Sequence, residues 1–224
     1  MTGGRPSVVA FGDDAVLVTL GNEVDPGLGQ ATRALSAALG DARDRGLPID
    51  APVIGYAAIR VPFDPAAVSS ADVMEAVAAV IDPGIADTPE RKRRARVVEV
   101  PTRYGGADGE DLEAVAAATG LSPERVIDMH ATTEYEVYFL GFAPGFAYLG
   151  VLPEALAVPR RASPRARVPA GSVAIAERQT AIYPVETPGG WHLIGRTDTR
   201  LWDPHRDPPA LLAAGDRVRF VPVR

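Results

Sequence analysis

The sequence contains no cysteine, which excludes disulfides, thiolate nucleophiles, thiolate zinc sites and iron–sulfur clusters together. Histidine is scarce: His130, His192 and His205 are scattered without ligand spacing, so no metal site is expected. No apolar run reaches the roughly 18–20 residues that a bilayer crossing needs, and residues 1–6 lack the basic-then-apolar order of a secretory leader. No membrane role is expected, and the cytoplasm is the expected compartment. Positive charge is not in excess either. Lys and Arg total 23 against 29 Asp and Glu, a net charge of -6, which weighs against nucleic-acid binding. The chain has no G-x-x-x-x-G-K-[ST] loop, no G-x-S-x-G elbow and no Gly-x-Gly-x-x-Gly after a strand. No complete catalytic machine is visible.

What is present suggests two domains. With 46% hydrophobic residues over 224 positions, the chain can bury ordinary cores. Ser7–Phe11 and Ala15–Leu20 read as strands around a Gly12-Asp13-Asp14 turn. Asp25 and Pro26 open a helix whose Leu28, Ala31, Leu35, Leu39 and Ala42 share a face, stopped by Gly46 and Pro48. Val53 to Val61 is extended, with a break near Gly55-Tyr56. Ser69 with Asp72 resembles a capping box. It starts a helix carrying Val73, Val77, Val80 and Ile81 and ending at Asp82-Pro83-Gly84. Two helices over a small, mostly antiparallel sheet is the economical arrangement. Residues 86–96, with Arg91-Lys92-Arg93-Arg94, read as a linker between domains at 1–85 and 97–224; the basic run is a partner contact or a solvated linker. From Val97 come a strand to Val100, a helix capped by Asp108 and Asp111 and ending at Gly120, and a second helix from Ser122-Pro123-Glu124 to about His130. Short runs at 135–139, 173–176, 181–183, 191–194 and 217–221, punctuated by Gly and Pro, then predict a sandwich or barrel. The fold class is α+β.

Three stretches carry unusual chemistry. Gly141 to Gly150 alternates glycines and Pro144 with Phe142, Phe146 and Tyr148, so free amides at Gly145 and Phe146 and aromatic walls could form a pocket; a barrel corner plugged by rings is the plainer alternative. Arg160, Arg161, Arg165 and Arg167 lie in a window without any Asp or Glu between Glu154 and Glu177. Stiffened by prolines 159, 164 and 169, these guanidinium groups suit carboxylate or phosphate, or else are neutralised by acids elsewhere in the fold. Gly171 and Ser172 follow as possible anion donors. Thr187 to Thr197 feeds a Pro-Gly-Gly turn into a strand ending Gly195-Arg196-Thr197, which could line an anion site or form an ordinary hairpin. His130, near a helix end, is either a dipole partner or an acid/base group. His192 reads as packing.

Taken in order, these segments resemble the KipI / allophanate-hydrolase-subunit-1 family, which includes the B subunit of 5-oxoprolinase. The carrying residues are Phe11-Gly12-Asp13-Asp14-Ala15, Tyr104-Gly105-Gly106 with Asp111-Leu112, His130, the run Gly141 to Gly150, Pro159-Arg160-Arg161, Pro164-Arg165, Val168 to Ala176, Gln179-Thr180 with Ile182-Tyr183-Pro184, Pro188-Gly189-Gly190-Trp191, Ile194-Gly195-Arg196-Thr197 and Gly215-Asp216. Glu177-Arg178 stands where the family has a glycine-rich pair. The resemblance implies a small N-terminal α/β sandwich domain followed by a cyclophilin-like β-barrel. It also implies a role as one member, inactive alone, of an enzyme complex that opens 5-oxoproline to glutamate at the expense of ATP. The C subunit (allophanate hydrolase subunit 2-like) and the A subunit of 5-oxoprolinase would be the partners. ATP with Mg would be used by the assembled complex, with no bound prosthetic group.

On that reading Arg165 and Arg196 hold carboxylate or phosphate and His130 is the acid/base candidate. Pro144, Gly145, Phe146, Gly171 and Ser172 shape and donate to the substrate site, with Gln179 and Thr197 as neutral orienting groups. The competing readings are a KipI-like inhibitor that binds a sensor histidine kinase and a subunit of an allophanate or urea-derivative hydrolase.

Overall fold

The computed structural model describes residues 6–22, 26–81 and 95–223. The chain divides into two compact units, residues 1–94 and 95–224. Asp25, the Asp82-Pro83-Gly84 stop and the basic run at 91–94 lie outside the described residues, as does all of the expected linker except Ala95 and Arg96.

In the first unit, strands β1 (Ser7–Ala10) and β2 (Ala15–Thr19) pair as an antiparallel hairpin. Gly12 sits at φ +69°, a conformation that costs a glycine little. Helix α1 (Pro26–Asp44) buries Leu35, Leu39 and Ala42. Thr32 joins them fully buried because its hydroxyl is satisfied by donating to the Leu28 carbonyl at 2.7 Å. The extended stretch breaks where expected, into β3 (Val53–Ile54) and β4 (Ala58–Pro62). Helix α2 (Ser70–Ile81) opens with Ser69 Oγ accepting the Asp72 amide at 3.2 Å and donating to the Asp72 carboxylate at 2.7 Å. The antiparallel sheet has order β1-β2-β4-β3. Val16, Val18, Ile59 and Val61 pack with Leu35, Leu39, Val73 and Val77 from the helices.

The second unit is built on a closed seven-stranded barrel. Strand β5 (Val97–Tyr104) runs four residues past the expected end at Val100, because β13 (Arg217–Pro222) pairs with it as far as Thr102 and residues 195 and 196 pair with Tyr104 and Arg103. The pairing with β13 is parallel. Helices α3 (Leu112–Thr119) and α4 (Pro123–Thr132) follow. Gly120 closes α3 at φ +70°, and Ser122 caps α4 by accepting the Arg125 amide. The remaining strands are β6 (Glu134–Leu140), β7 (Ala147–Gly150), β8 (Arg165–Val168), β9 (Ser172–Ala176), β10 (Gln179–Ile182), β11 (Thr187–Gly189) and β12 (His192–Arg196). The barrel closes in the order β10-β7-β6-β13-β5-β12-β9, while β8 and β11 form a separate two-stranded ribbon. Strands β7, β8 and β11 were not foreseen. Each is only three or four residues long; β8 and β11 are rich in Arg, or in Pro and Gly, and β7 is too short for Tyr148 and Leu149 to mark a strand by themselves.

Side chains alternate through the barrel wall. Val173, Ile175, Ile182, Leu149, Val137, Val218 and Phe220 point inward, where residues of α3 and α4 join the same core. Ala174, Ala176, Ala181, Tyr183, Leu193, Phe146 and Trp191 form a second cluster on the outer face. Strand β9 is therefore buried on both sides. Two of its outward residues, Ala174 and Ala176, are small, which leaves room for the rings of this cluster. The β9–β10 turn holds Glu177 at φ +53°, a left-handed conformation that favours glycine and is uncommon for a residue with a side chain. Among the described residues no helix is long and apolar enough to cross a membrane.

Candidate functional site

Three segments singled out in the sequence converge on this outer face. Phe142, Phe146 and Tyr148 come from the turn before β7 and from β7 itself. Arg160, Arg161 and Pro164 come from the strap leading into β8. Pro188, Gly189, Gly190 and Trp191 come from β11 and its turn, and Tyr183 closes the floor. Together they line a pocket of about 210 Å³. Phe146 is its hub, with ring centroids 5.0 Å from Tyr148, 5.4 Å from Tyr183 and 6.1 Å from Trp191, all edge-on. Such T-shaped contacts match the positive edge of one ring to the negative face of another. Phe142 stands at the rim, 63% exposed, at φ +69°.

The strap is pinned on both sides of Arg160. His192 Nε2 lies 2.9 Å from the Pro159 carbonyl, and the Arg161 amide donates to Gly190 O at 2.8 Å. The Arg161 and Arg165 guanidinium groups are held by Asp111. Arg161 Nη1 donates to Oδ1 at 2.8 Å, Arg165 Nη1 and Nη2 donate to Oδ2 and Oδ1 at 2.8 and 2.9 Å, and the Leu193 amide donates to Oδ2 at 2.7 Å. Burial by itself would raise the Asp111 carboxyl. The Arg165 hydrogen bond, the Leu193 amide and the two guanidinium charges outweigh it and hold the group below the ordinary aspartate range. Arg167 lies 3.7 Å from Glu186. Of the four arginines in the acid-free window, Arg160 alone lacks a carboxylate partner among the described residues. Burial raises the Tyr148 and Tyr183 phenols despite the nearby Arg160 charge, so both remain protonated and neutral.

The expected site residues divide differently. Phe146 lines the pocket; Pro144, Gly145, Arg165, Arg196, Gly171, Ser172, Gln179, Thr197 and His130 do not. Arg165 is committed to Asp111 and, at 3.2 Å, to Glu110, so its fork is not free for a substrate. Arg196 lies on β12 beside Ser172 and Arg103. Arg165 and Arg196 thus do not share the pocket.

Three of the expected backbone donors are spent within the fold. The Phe146 amide donates to Ala143 O, the Gly171 amide to Tyr183 O and the Ser172 amide to Pro169 O. Gly145 at φ +78° serves close packing, since a Cβ there would lie 2.8 Å from Trp202 Cβ. The Thr197 hydroxyl accepts the Thr199 amide at 3.1 Å in a local turn, and Gln179 is buried in β10.

His130 is a core residue. It is fully buried, 4.4 Å from the Phe220 ring, with Nδ1 2.8 Å from the Tyr104 hydroxyl and Nε2 2.9 Å from Thr180 Oγ1. Thr180 donates its own proton to Ala174 O, so Nε2 carries the imidazole proton and Nδ1 accepts from Tyr104. Burial lowers its pKa to about 3. A neutral imidazole with both nitrogens engaged and no solvent access is in no position to exchange protons with a guest in the pocket.

Asp111 also departs from expectation. It occupies the N-cap position of α3 but makes no side-chain cap bond; its carboxylate turns to the arginines instead. Sequence reasoning passed over Asp111, Tyr183 and Trp191 as site residues and set Arg165 above Arg160. A signal was available: aromatic and small residues alternate with aliphatics across β7, β9 and β10, which marks a second buried face outside the barrel.

A family model described as carboxyltransferase domain, subdomain C and D, matches residues 6–212. The chain is 59% identical over 128 residues to a protein of Escherichia coli O157:H7 named as the B subunit of 5-oxoprolinase, a match covering 57% of this chain and 59% of that protein's length. It is 40% identical over 226 residues to the Bacillus subtilis protein of the same name, covering 97% of this chain and 92% of that one. The crystal structure of TTHA0988 superposes with a TM-score of 0.77 at 38% identity, covering 94% of this chain but 40% of that one.

Proposed function

The chain belongs to the family of carboxyltransferase domains, subdomains C and D, and from that premise we propose that it is the smaller, non-autonomous subunit of an ATP-dependent 5-oxoprolinase. Its B. subtilis relative, similar over nearly the full length of both chains, carries that subunit's name. TTHA0988 holds a domain like this one as a minor part of a longer chain, which favours a unit that works against further protein.

One observation carries the reading. The pocket is lined by aromatic rings, prolines, glycines and two arginines, with no carboxylate and no imidazole. It can hold and orient an anion, yet it offers no general base at neutral pH. At about 210 Å³ it is small beside the roughly 300–1,000 Å³ of pockets for drug-sized ligands. It suits a guest of one ring and one charged group.

In this assignment the carboxylate of 5-oxoproline meets Arg160, whose planar fork matches it. The lactam ring lies against Phe146 and Trp191, and a protonated phenol, Tyr148 or Tyr183, faces the lactam oxygen. Ring opening forms a bond from water oxygen to the carbonyl carbon and breaks the carbon–nitrogen bond, with a proton delivered to the leaving nitrogen. The proton-handling group comes from a companion protein of the complex, which makes the chain inactive alone. ATP, bound in the assembled complex, supplies the activation that a poor amide electrophile needs. A magnesium–nucleotide does not fit the pocket described, since magnesium seeks carboxylate oxygens and none lines it. The cytoplasm is the compartment we assign.

The test is reconstitution. The full chain alone should release no glutamate from 5-oxoproline, and ATP-dependent release should appear when the companion proteins are added. Turnover by the isolated chain contradicts the proposal. So does capture of a sensor histidine kinase with no effect of the chain on 5-oxoproline consumption.

A further inference from the structure

We propose that Asp111 sets the charge of the Arg160 pocket, and with it a preference for singly over doubly charged anions, by withdrawing Arg161 and Arg165 from the guest. The inference rests on reading that pocket as an anion site, and it adds a specificity-determining residue that touches no substrate.

Four charged groups meet behind the strap. Asp111 takes one guanidinium nitrogen of Arg161 and two of Arg165, and Glu110 takes Arg165 Nη2 at the surface at 3.2 Å. Two cations and two anions cancel, which leaves Arg160 as the net charge on the pocket. Arg161 is the member that matters, because it lines the pocket while its Nη1 is turned away to Asp111 and its Nε, buried, has no hydrogen-bond partner. Asp111 is 5% exposed and fixed from a third direction by the Leu193 amide, so it cannot swing aside to free either arginine.

Replacing Asp111 by Asn keeps the shape and an acceptor for the Leu193 amide but removes the negative charge. The Arg161 charge on the pocket wall is then uncompensated. An added positive charge attracts a dianion about twice as strongly as a monoanion, and at the separations and partial solvation of such a pocket the difference is about tenfold in relative affinity.

The experiment is isothermal titration of the full-length chain with 5-oxoproline, one carboxylate, and with malonate, two. Ionic strength is held constant, at a pH where both malonate groups are ionised. Wild type should bind 5-oxoproline the more tightly. Asp111→Asn should raise the malonate-to-5-oxoproline affinity ratio about tenfold, while Arg161→Gln, which removes a cation and leaves Asp111 in place, should lower it below wild type. A variant that merely loosens the strap weakens both ligands together. An unchanged ratio in Asp111→Asn therefore overturns the inference, and if that variant does not fold, an unchanged ratio in Arg161→Gln does so. Wild-type protein that binds neither anion sinks the pocket reading as well, whereas wild-type binding with invariant ratios sinks the role of Asp111 alone.

Discussion

Asp111 grips Arg165 at two points, its carboxylate oxygens 2.8 and 2.9 Å from the two terminal nitrogens of the guanidinium. The pair ties the N-terminus of α3 to the first residue of β8, and the Leu193 amide ties the same carboxylate to β12. The acid-free arginine strap is thus a structural wall for most of its length. Its cationic function is concentrated in Arg160, the residue that the grip leaves free.

Loss of this grip should be costly. Asp111→Ala strips the partner from two half-buried cations and should cost about 3 kcal/mol, the lower end of the range for breaking a buried pair, because both arginines retain some solvent. The Asp111 pKa is lowered in the folded state. Its contribution is therefore fully present above the ordinary aspartate range and is lost as the pH falls through the lowered value. Denaturant unfolding over an acidic pH series should show wild type and variant converging at the acid end.

His130 has the opposite pH signature. Burial lowers its pKa to about 3, against about 6.5 in an unfolded chain. Between those values the unfolded state binds the extra proton, so stability falls as the pH drops, by at most about 1.4 kcal/mol per pH unit. In His130→Gln this component should vanish, leaving a flatter stability curve from about pH 6.5 downward. An unchanged slope in the variant would remove His130 from its place as a neutral core residue.

Gly189 is required by the pocket floor. A Cβ at this position collides with the ring and hydroxyl of Tyr183, whose ring packs edge-on against Phe146. Gly189→Ala should therefore displace Tyr183 into the pocket, abolish measurable 5-oxoproline binding and destabilise the fold by about 1–3 kcal/mol. Retained binding would show that the guest sits elsewhere.

Much of the framework was legible because local signals agreed with one another. The Gly12 turn, the Ser69 and Ser122 caps, the Gly120 stop and the apolar face of α1 each specify structure within a few residues. The aromatic run, the arginine window and the Pro-Gly-Gly turn pointed to the pocket because they combine rigid backbone with unusual side chains. What failed was the choice among neighbours. Arg160 and Arg165 are equivalent in sequence, and only the register of β8 on β11, with Val168 facing Thr187, and the placing of Asp111 decide which one is neutralised. The amides of Phe146, Gly171 and Ser172 look free in a glycine-rich sequence; whether they are is settled by carbonyls brought near by the turn or by long-range pairing. His130 carried no mark of burial in its helix, since Tyr104 and Thr180, which satisfy it, lie 26 and 50 residues away.

The most direct measurement is steady-state kinetics of Arg160→Gln in the assembled, ATP-supplied complex. Arg160 is exposed on the pocket wall, so thermal unfolding should stay within about 0.5 kcal/mol of wild type. The KM for 5-oxoproline should rise about tenfold to hundredfold through loss of one charge-assisted contact. A folded variant that assembles and turns over 5-oxoproline with an unchanged KM would contradict the account.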